Sequence, residues 1–599
     1  MFHWKRSGPW VSCGPQRHSY PDINEDLPVD VMPASNEEFF PPPPTREQIG
    51  IMQLADAETE RYRRLFNMSR AQFVRTAAAT AIGFWAIDAV RQGKYGNYGW
   101  AHNTATTHPC DLEWDGRKGL ETLRNLPGEF IFDVQSHHVD PDGEWRVSNP
   151  AIHAFFNAVW PQASPVTGQE PSIGPGGHVR GSGAGEVDPI QNLSRKHYLK
   201  EIFLDSATSA AVLSVVPTSP DTRNPLPIEE AAETIDTVNR LANSRRAVMH
   251  AFVMPNRGSS GTTNTGGGSI PQKPLYFDEE MELMMERAER YRDKLRGWKT
   301  YCAWGDVPNA SGWTLDSDVG MAFLENVLAV SRKYGEVPPT VASHKGFALP
   351  GFDQRGAAPR DVGVAAKAYP DVNLVIYHSG YDSGDEQRAY RGDAAADSSS
   401  HTVDGLIKSL RENEWDASRF KKRGKAFGNV PNVWAELGSV WRDVMHDPDQ
   451  CAHLLGKLIT HVGPKRVCWG TDSLWYGSPQ SEIVAMRRFE FTERGKELYN
   501  LPYGLEGDVE DPTRKAPNPA RTIRNGILGR NVAPAYRFDP DARRRAISCD
   551  DVARLKDEGY IQNGGSAERE EIPLANNHIH GPRTRRDAIK AIYSGPWTP

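Results

Sequence analysis

The sequence predicts an α/β chain: a (β/α)8 TIM-like barrel with an N-terminal helical and Pro-rich extension, long loop insertions and a C-terminal tail. Three observations predict it. From residue 129 onward, short apolar or β-branched runs alternate with helical stretches, the pattern of a parallel sheet with crossover helices. Eight such runs recur over about 400 residues, the number and spacing of a barrel with insertions. Four of the runs are followed within three residues by histidine or aspartate, where a barrel gathers its functional residues.

The eight runs are residues 130–134, 211–216, 247–253, 300–304, 340–343, 373–377, 432–436 and 466–469. Helices are expected between most of them, at 228–243, 279–295, 319–334, 361–368 and 448–460, where few breakers interrupt an apolar stripe. Gly-, Pro- and Ser-rich stretches at 161–186 and 257–274 read as long loops, and a charged insertion follows strand six at 381–430. No repeat of matching sequence appears.

At 599 residues the chain is long enough for two to four domains, or for one barrel with extensions. The reading adopted is an N-terminal arm and helical extension over 1–128, a barrel over 129–540 and a C-terminal extension over 541–599. The arm carries a Pro run at 41–44 and reads as extended, and residues 46–92 read as helical. Residues 69–87, SRAQFVRTAAATAIGFWAI, resemble a twin-arginine export signal with alanine at the second arginine position. Two readings stand: a decayed or chance match, which leaves the protein cytoplasmic, or a working signal, which sends it to the periplasm or outside.

The charge balance is 70 basic against 77 acidic residues, net −7, spread along the chain, with no basic stripe for nucleic acid. Cys13, Cys110, Cys302, Cys451, Cys468 and Cys549 form no C-x-x-C pair, so neither a thiolate zinc site nor a disulfide framework is expected. No apolar run is long enough to span a bilayer. The expected partner is a small-molecule substrate, and a homo-oligomer is the default for such a chain.

The chemistry-bearing residues follow the strands. Strand one runs into Asp133-Val134-Gln135-Ser136-His137-His138, strand five into His344-Lys345, strand six into His378-Ser379-Gly380 and strand eight into Gly470-Thr471-Asp472. Singly, a histidine after a buried strand is a packed core residue and an aspartate in such a turn is a cap. Together at one barrel mouth, three imidazoles and a carboxylate make a ligand set for one divalent metal, with Zn²⁺ favoured and Mn²⁺ or Fe²⁺ also suited. Such a metal acidifies a bound water and polarises a substrate oxygen.

These motifs resemble the amidohydrolase superfamily, in the branch with aminocarboxymuconate-semialdehyde decarboxylase and resorcylate decarboxylase. Asp133 to His137 is similar to the branch's Asp-x-His-x-His opening. Residues 369–380 are similar to its Pro-Asp lead into His-x-Gly, residues 466–472 to its strand eight, and Ile527-Leu528-Gly529-Arg530-Asn531 to its closing helix. The resemblance covers roughly residues 128–540. It implies that His137, His344 and Asp472 are metal ligands and that His378 is a general acid or base or a further ligand, with His378 and Asp472 moving protons.

Gln135 stands where the branch has its first histidine. Three outcomes stay open: Gln135 binds the metal through its amide oxygen; it orients a water while His137, His344, His378 and Asp472 hold the metal; or there is no metal. His138 is expected on the opposite face from His137. Lys345, Glu436, Trp304 and Trp475 are candidate substrate contacts, against the plainer readings of a surface lysine, an ion pair with Arg442 and packed aromatics. Trp313 and Trp441 also follow strand ends. Lys299 is placed before strand four, so no bridging lysine for a second metal is expected. His578 and His580 are read as a chance pair in the tail. The resemblance implies a metal-dependent hydrolase of an amide, ester or lactone carbon. The alternatives are a non-oxidative decarboxylase of an aromatic or unsaturated carboxylate, a metal-free hydrolase and a catalytically silent binding barrel.

Overall fold

A computed structural model describes residues 44–74, 77–99, 124–150, 189–218, 223–258, 274–305, 312–347, 353–383, 385–396, 402–413 and 432–556, with a few isolated positions besides. The expected loops 161–186 and 259–273, part of the insertion after strand six, the arm before residue 44 and the tail beyond 556 lie outside these stretches.

Two longer helices precede the barrel, α1 (Arg46–Leu65) and α2 (Ala77–Arg91), with a single turn at Arg70–Phe73 between them. The expected single helical region is split, with α1 starting on a capping box between Thr45 and Gln48. The apolar stretch that resembles an export signal is packed inside the fold, with Ile82, Phe84 and Ile87 fully buried. Arg91 pairs with Asp447 at 3.2 Å, and Asp88 accepts the backbone N–H of Tyr98 at 3.0 Å.

The barrel then runs β1 (Phe132–Ser136), β2 (Ala210–Leu213), α3 (Ile228–Ala242), β3 (Ala247–Phe252), α4 (Phe277–Tyr291), β4 (Leu295–Tyr301), α5 (Asp318–Lys333), β5 (Thr340–His344), α6 (Val362–Ala368), β6 (Asn373–Tyr377), α7 (Val403–Glu412), β7 (Val433–Glu436), α8 (Pro448–Lys457), β8 (Val467–Cys468) and α9 (Gln480–Arg488). All neighbouring strands pair in parallel, in sequence order from β1 to β8. The residues after β8 close the ring on β1: Asp472 N–H donates to Gln135 O at 2.8 Å, and Ser136 and Ser473 form a parallel bridge. The fold is the expected (β/α)8 barrel.

The strands alternate, as a pleat requires. Val212, Val248, Ala342, Val375 and Cys468 face inward and join one cluster with Val532, Ala535, Tyr536 and Phe538. The chain from 532 to 538 therefore plugs the bottom of the barrel, and Thr340 Oγ1 donates to Ala535 O there at 2.6 Å. The intervening residues, such as Leu213, Val341, Leu374 and Ile376, pack outward under the helices. Helix α3 shows why those helices stay put. Ile228, Ala231, Ile235, Val238 and Ala242 share one buried face, and Asn243 ends the helix in the left-handed region.

Strand four departs from expectation. It is Leu295–Tyr301, several residues before the predicted run, because two cations and a glycine disguise it. Lys299 is thus an inward-facing strand residue with no exposed surface, its ammonium 4.1 Å from the Tyr301 ring centroid and 3.9 Å from that of Tyr377.

The C-terminal extension docks on the barrel through the buried Arg246–Asp550 pair (2.6 Å) and through Lys556, whose ammonium donates to Ser206 O at 2.6 Å. Burial pushes the Lys556 ammonium down to about 7. Between pH 7 and the ordinary lysine range the unfolded chain then binds the extra proton, so raising the pH stabilises the fold, by at most about 1.4 kcal/mol per pH unit. The melting midpoint is expected to climb less between pH 7 and 9.5 in Lys556→Met than in the unsubstituted protein. Parallel curves would refute this assignment.

Candidate active site

The C-terminal ends of β1, β5, β6 and β8 bring the predicted residues to one mouth. On β1 the register against β2 shifts between Asp133 and Ser136. That irregularity lets Gln135 and His137 both face the site above the inward-facing Val134. His138 points the other way, its Nε2 2.8 Å from Thr234 Oγ1 on α3, a packing role.

Asp472 is the focus. Its Oδ1 accepts from Gln135 Nε2 at 2.8 Å and lies 3.0 Å from His137 Nε2, while Oδ2 accepts from Ser439 Oγ at 2.5 Å. Burial opposes the charged form, but the His137 hydrogen bond, the charges of His137 and His378 and the Ser439 hydroxyl hold this carboxyl well below the usual range. It is an anion at neutral pH.

Two imidazoles are aimed by the backbone. His137 Nδ1 donates to Ser214 O at 3.1 Å and His378 Nδ1 to Gly438 O at 2.8 Å. With Nδ1–H engaged, each Nε2 turns to the interior: that of His137 to Asp472, that of His378 to the Gln135 amide nitrogen 3.4 Å away. A histidine pinned through one nitrogen to a carbonyl presents the other to a metal or a proton.

His344 differs. Its ring lies 4.6 Å from that of His378, but its Nε2 faces Gly346 O (3.2 Å) and Phe347 O (3.4 Å), not Asp472. Burial, then the charges of His378 and Lys299, drive its pKa well below the ordinary value, so it is neutral. Accordingly, among the described residues no three His, Cys, Asp or Glu side chains converge as metal ligands do. The set that does converge includes the amide. His137 Nε2, Asp472 Oδ1, Gln135 Nε2 and His378 Nε2 are linked by separations of 2.8, 3.0 and 3.4 Å. These are successive contacts along a chain of side chains, not the mutual approach of one complete ligand sphere.

Glu436 is turned to the backbone of the neighbouring turns. It accepts the N–H of Gly438 at 2.6 Å and of His378 at 3.0 Å, and so braces the turn that aims His378. Burial pushes its carboxyl up to about 7, against the pull of the His378 charge and these N–H groups. A Cβ on Gly470 would fall 1.7 Å from Glu436 Oε1, so this position accepts glycine alone. Lys345 is likewise reassigned. It is fully buried and its ammonium is committed to Asp361 Oδ2 (2.7 Å) and Gly356 O (2.8 Å), inside the loop after β5. Arg442 lies over the Tyr476 ring. Trp313 packs on Phe323, and Trp441 donates to Glu482 O at 3.0 Å, so both are core residues.

Aromatic rings back each imidazole. Trp475 stacks on His137 at 5.3 Å, Tyr301 on His344 at 5.1 Å, and Phe347 meets His378 edge-on at 5.0 Å. Trp304 extends this wall with Tyr301 and Met254. Beneath it lies His250 on β3, which the sequence reading passed over. Its Nδ1 is 3.3 Å from Ser214 Oγ and 3.4 Å from Tyr377 OH, and burial followed by the Lys299 charge keeps it neutral. The available signal was its inward parity between Val248 and Phe252.

The backbone at the mouth is strained. Phe347, His378, Ser379, Ser439 and Asp472 all have positive φ, following β5, β6, β7 and β8 in turn. Non-glycine residues in this region cost about 1–3 kcal/mol each and gather at functional sites.

No protein-family model and no curated protein matches the chain. It is similar to several solved structures. One is a candidate 2-pyrone-4,6-dicarboxylic acid hydrolase from Pseudomonas putida, at 12% identity over 62% of this chain and 97% of the other, with a TM-score of 0.30. Another is a 2,6-dihydroxybenzoate decarboxylase from Rhizobium, at 11% identity over 62% and 99%, TM-score 0.30. A third is a 5-carboxyvanillate decarboxylase from Sphingomonas paucimobilis, at 12% identity over 68% and 99%, TM-score 0.31. Among the described residues no helix is long and apolar enough to cross a membrane.

Proposed function

We propose that this chain is an enzyme that hydrolyses an amide, ester or lactone of a small molecule at the barrel mouth, with one divalent cation held by His137, Asp472 and Gln135. The observation that carries the reading is a carbonyl-pinned imidazole, His137, set against the buried Asp472 carboxylate, with the Gln135 amide linking that carboxylate to a second pinned imidazole, His378. A divalent cation bound there would acidify a water and polarise the substrate carbonyl. The chain's own groups do the rest. Asp472 accepts the proton of the attacking water, and Ser439 holds its carboxylate in place. His378 stands beside the Gln135 amide and delivers a proton to the leaving group. Trp475, Phe347 and Tyr301 exclude water and shape a slot for a flat substrate.

That flat slot, with the Lys299 ammonium over Tyr301 and the neighbouring Tyr377, also favours a second reading: decarboxylation of an aromatic or unsaturated carboxylate, with His378 supplying the proton to carbon.

The test is elemental analysis of the full chain purified without chelator or affinity metal, beside His137→Ala, His344→Ala and Asp472→Ala. About one equivalent of Zn, Mn or Fe is expected in the unsubstituted protein and in His344→Ala, and little in the other two. A screen of lactones, amides and aromatic carboxylates, read by acid release or CO₂ release, then separates the two reactions. Absence of metal in a folded chain would defeat the metal-dependent reading and leave a metal-free hydrolase or a binding barrel.

A further inference from the structure

The apolar run of α2 is closed in from two sides. Ile82, Phe84 and Ile87 belong to the same core cluster as Met445 and Phe489 of the barrel. The Phe84 ring lies 4.7 Å from that of Tyr98, which in turn meets Phe489 edge-on at 6.4 Å. On the other side a Cβ on Gly83 would fall 2.6 Å from Val29 Cγ2, so the arm packs directly on α2. Polar contacts then tie the segment that follows to one stretch of the barrel, residues 445–449. The Tyr98 hydroxyl donates to Met445 O, and Arg91 pairs with Asp447 at 3.2 Å. Asp449 Oδ1 accepts the N–H groups of Tyr95 (2.5 Å) and Gly96 (3.2 Å). Gly96–Asn97 also pairs antiparallel with Glu490–Phe491. The short helix Val440–Val444 joins the gripped stretch to Ser439, which donates to the Asp472 carboxylate at 2.5 Å.

We propose that residues 77–98 are a permanent strap, retained in the working protein, that steadies the turn carrying Ser439, and that the likeness of residues 69–87 to an export signal is incidental. A removable signal stands apart from the mature fold, and its loss bares nothing. Loss of α2 would instead expose the rings of Tyr98 and Phe489, both without exposed surface in the intact chain. Loss of the Tyr98 hydroxyl would leave the buried Met445 carbonyl without that donor, and an unmade buried hydrogen bond destabilises the fold. Asp88 fits the same role. It lies inside the apolar run, is fully buried, and takes the Tyr98 N–H on its two oxygens at 3.0 and 3.1 Å, which fixes the turn from α2 back along the barrel. The hold on Ser439 matters to turnover through the barrel-mouth reading above; retention of the strap does not depend on it.

The experiment expresses the full chain in a bacterium with an active twin-arginine translocase, beside Phe84→Asp and Tyr98→Phe. Intact mass, the split between cytoplasm and periplasm, the melting midpoint and amide hydrogen exchange are measured for each. A charge in the apolar run of a working signal blocks export and leaves the mature protein unchanged, whereas a charge buried under a strap destabilises the fold. The expected mass is that of a chain still carrying residues 77–98. The melting midpoint is expected at least about 5 °C lower in Phe84→Asp. Exchange over residues 439–449 is expected at least about tenfold faster in Tyr98→Phe, with β2 to β5 protected as before. If Phe84→Asp fails to fold, the mass and Tyr98→Phe carry the test. A folded chain that has lost residues 77–91, or blocked export with an unchanged midpoint in Phe84→Asp, would overturn the strap. Unchanged exchange over 439–449 in Tyr98→Phe would overturn its hold on Ser439. None of these measurements uses turnover, so a failed substrate screen beside a retained strap counts against the barrel-mouth reading alone.

Discussion

Asp472→Asn is expected to lower kcat/KM by at least about 1000-fold on whichever substrate the screen finds, while the protein stays folded. The backbone tolerates the change: Asp472 sits at φ 63°, a region asparagine enters as readily as aspartate. The shape of the side chain is also kept, and Ser439 Oγ has a second partner in Tyr476 OH at 2.9 Å. What disappears is the charge. His137 Nε2 loses its anionic partner and the attacking water loses its base, an effect confined to the reaction. The melting midpoint, which should move little, and turnover are to be measured on the same preparation. Turnover within tenfold of the unsubstituted protein would remove Asp472 from the chemistry.

The sequence carries this focus because β-strands that end in histidine or aspartate are conspicuous when the preceding run is apolar, as at β5, β6 and β8. Those strands, the closing Asp472 and the inward face of His137 were legible. The residues that escaped are those in which a polar side chain is swallowed by the barrel. Lys299 and His250 look like interruptions of a strand, yet both face inward and are buried. Lys345 looked solvated, because a sequence does not reveal that Asp361, sixteen positions on, folds back to meet it. The turn at His344 is a similar case. Its identity was visible, but the direction of its Nε2 depends on the carbonyls of Gly346 and Phe347, set by a glycine at φ 96° and a phenylalanine at φ 31°. Which side chains reach the mouth is thus readable from residue type and spacing, whereas the direction each one takes is fixed by backbone conformation there.

The largest stability effect is expected at that buried lysine. Both side chains of the Lys345–Asp361 pair have no exposed surface, and Asp361 Oδ2 also accepts the Leu315 N–H at 2.7 Å. Removing one partner strands a charge in a medium that solvates it poorly, so Asp361→Ala should destabilise the fold by about 3–5 kcal/mol. The double variant Lys345→Met/Asp361→Leu removes both charges and keeps most of the volume. It should recover the bulk of that loss, because apolar replacements of a buried pair are commonly neutral or stabilising. Urea midpoints of the single and double variants measure this, and equal losses in both would show that the pair's packing, not its charge, matters. The double variant also separates the two roles considered for Lys345. If the lysine only anchors the loop after β5, KM for an anionic substrate stays within a few-fold of the unsubstituted value. If it grips that substrate, KM rises by an order of magnitude or more even though the fold has been restored, since a lost charged hydrogen bond is worth about 1.5–3 kcal/mol.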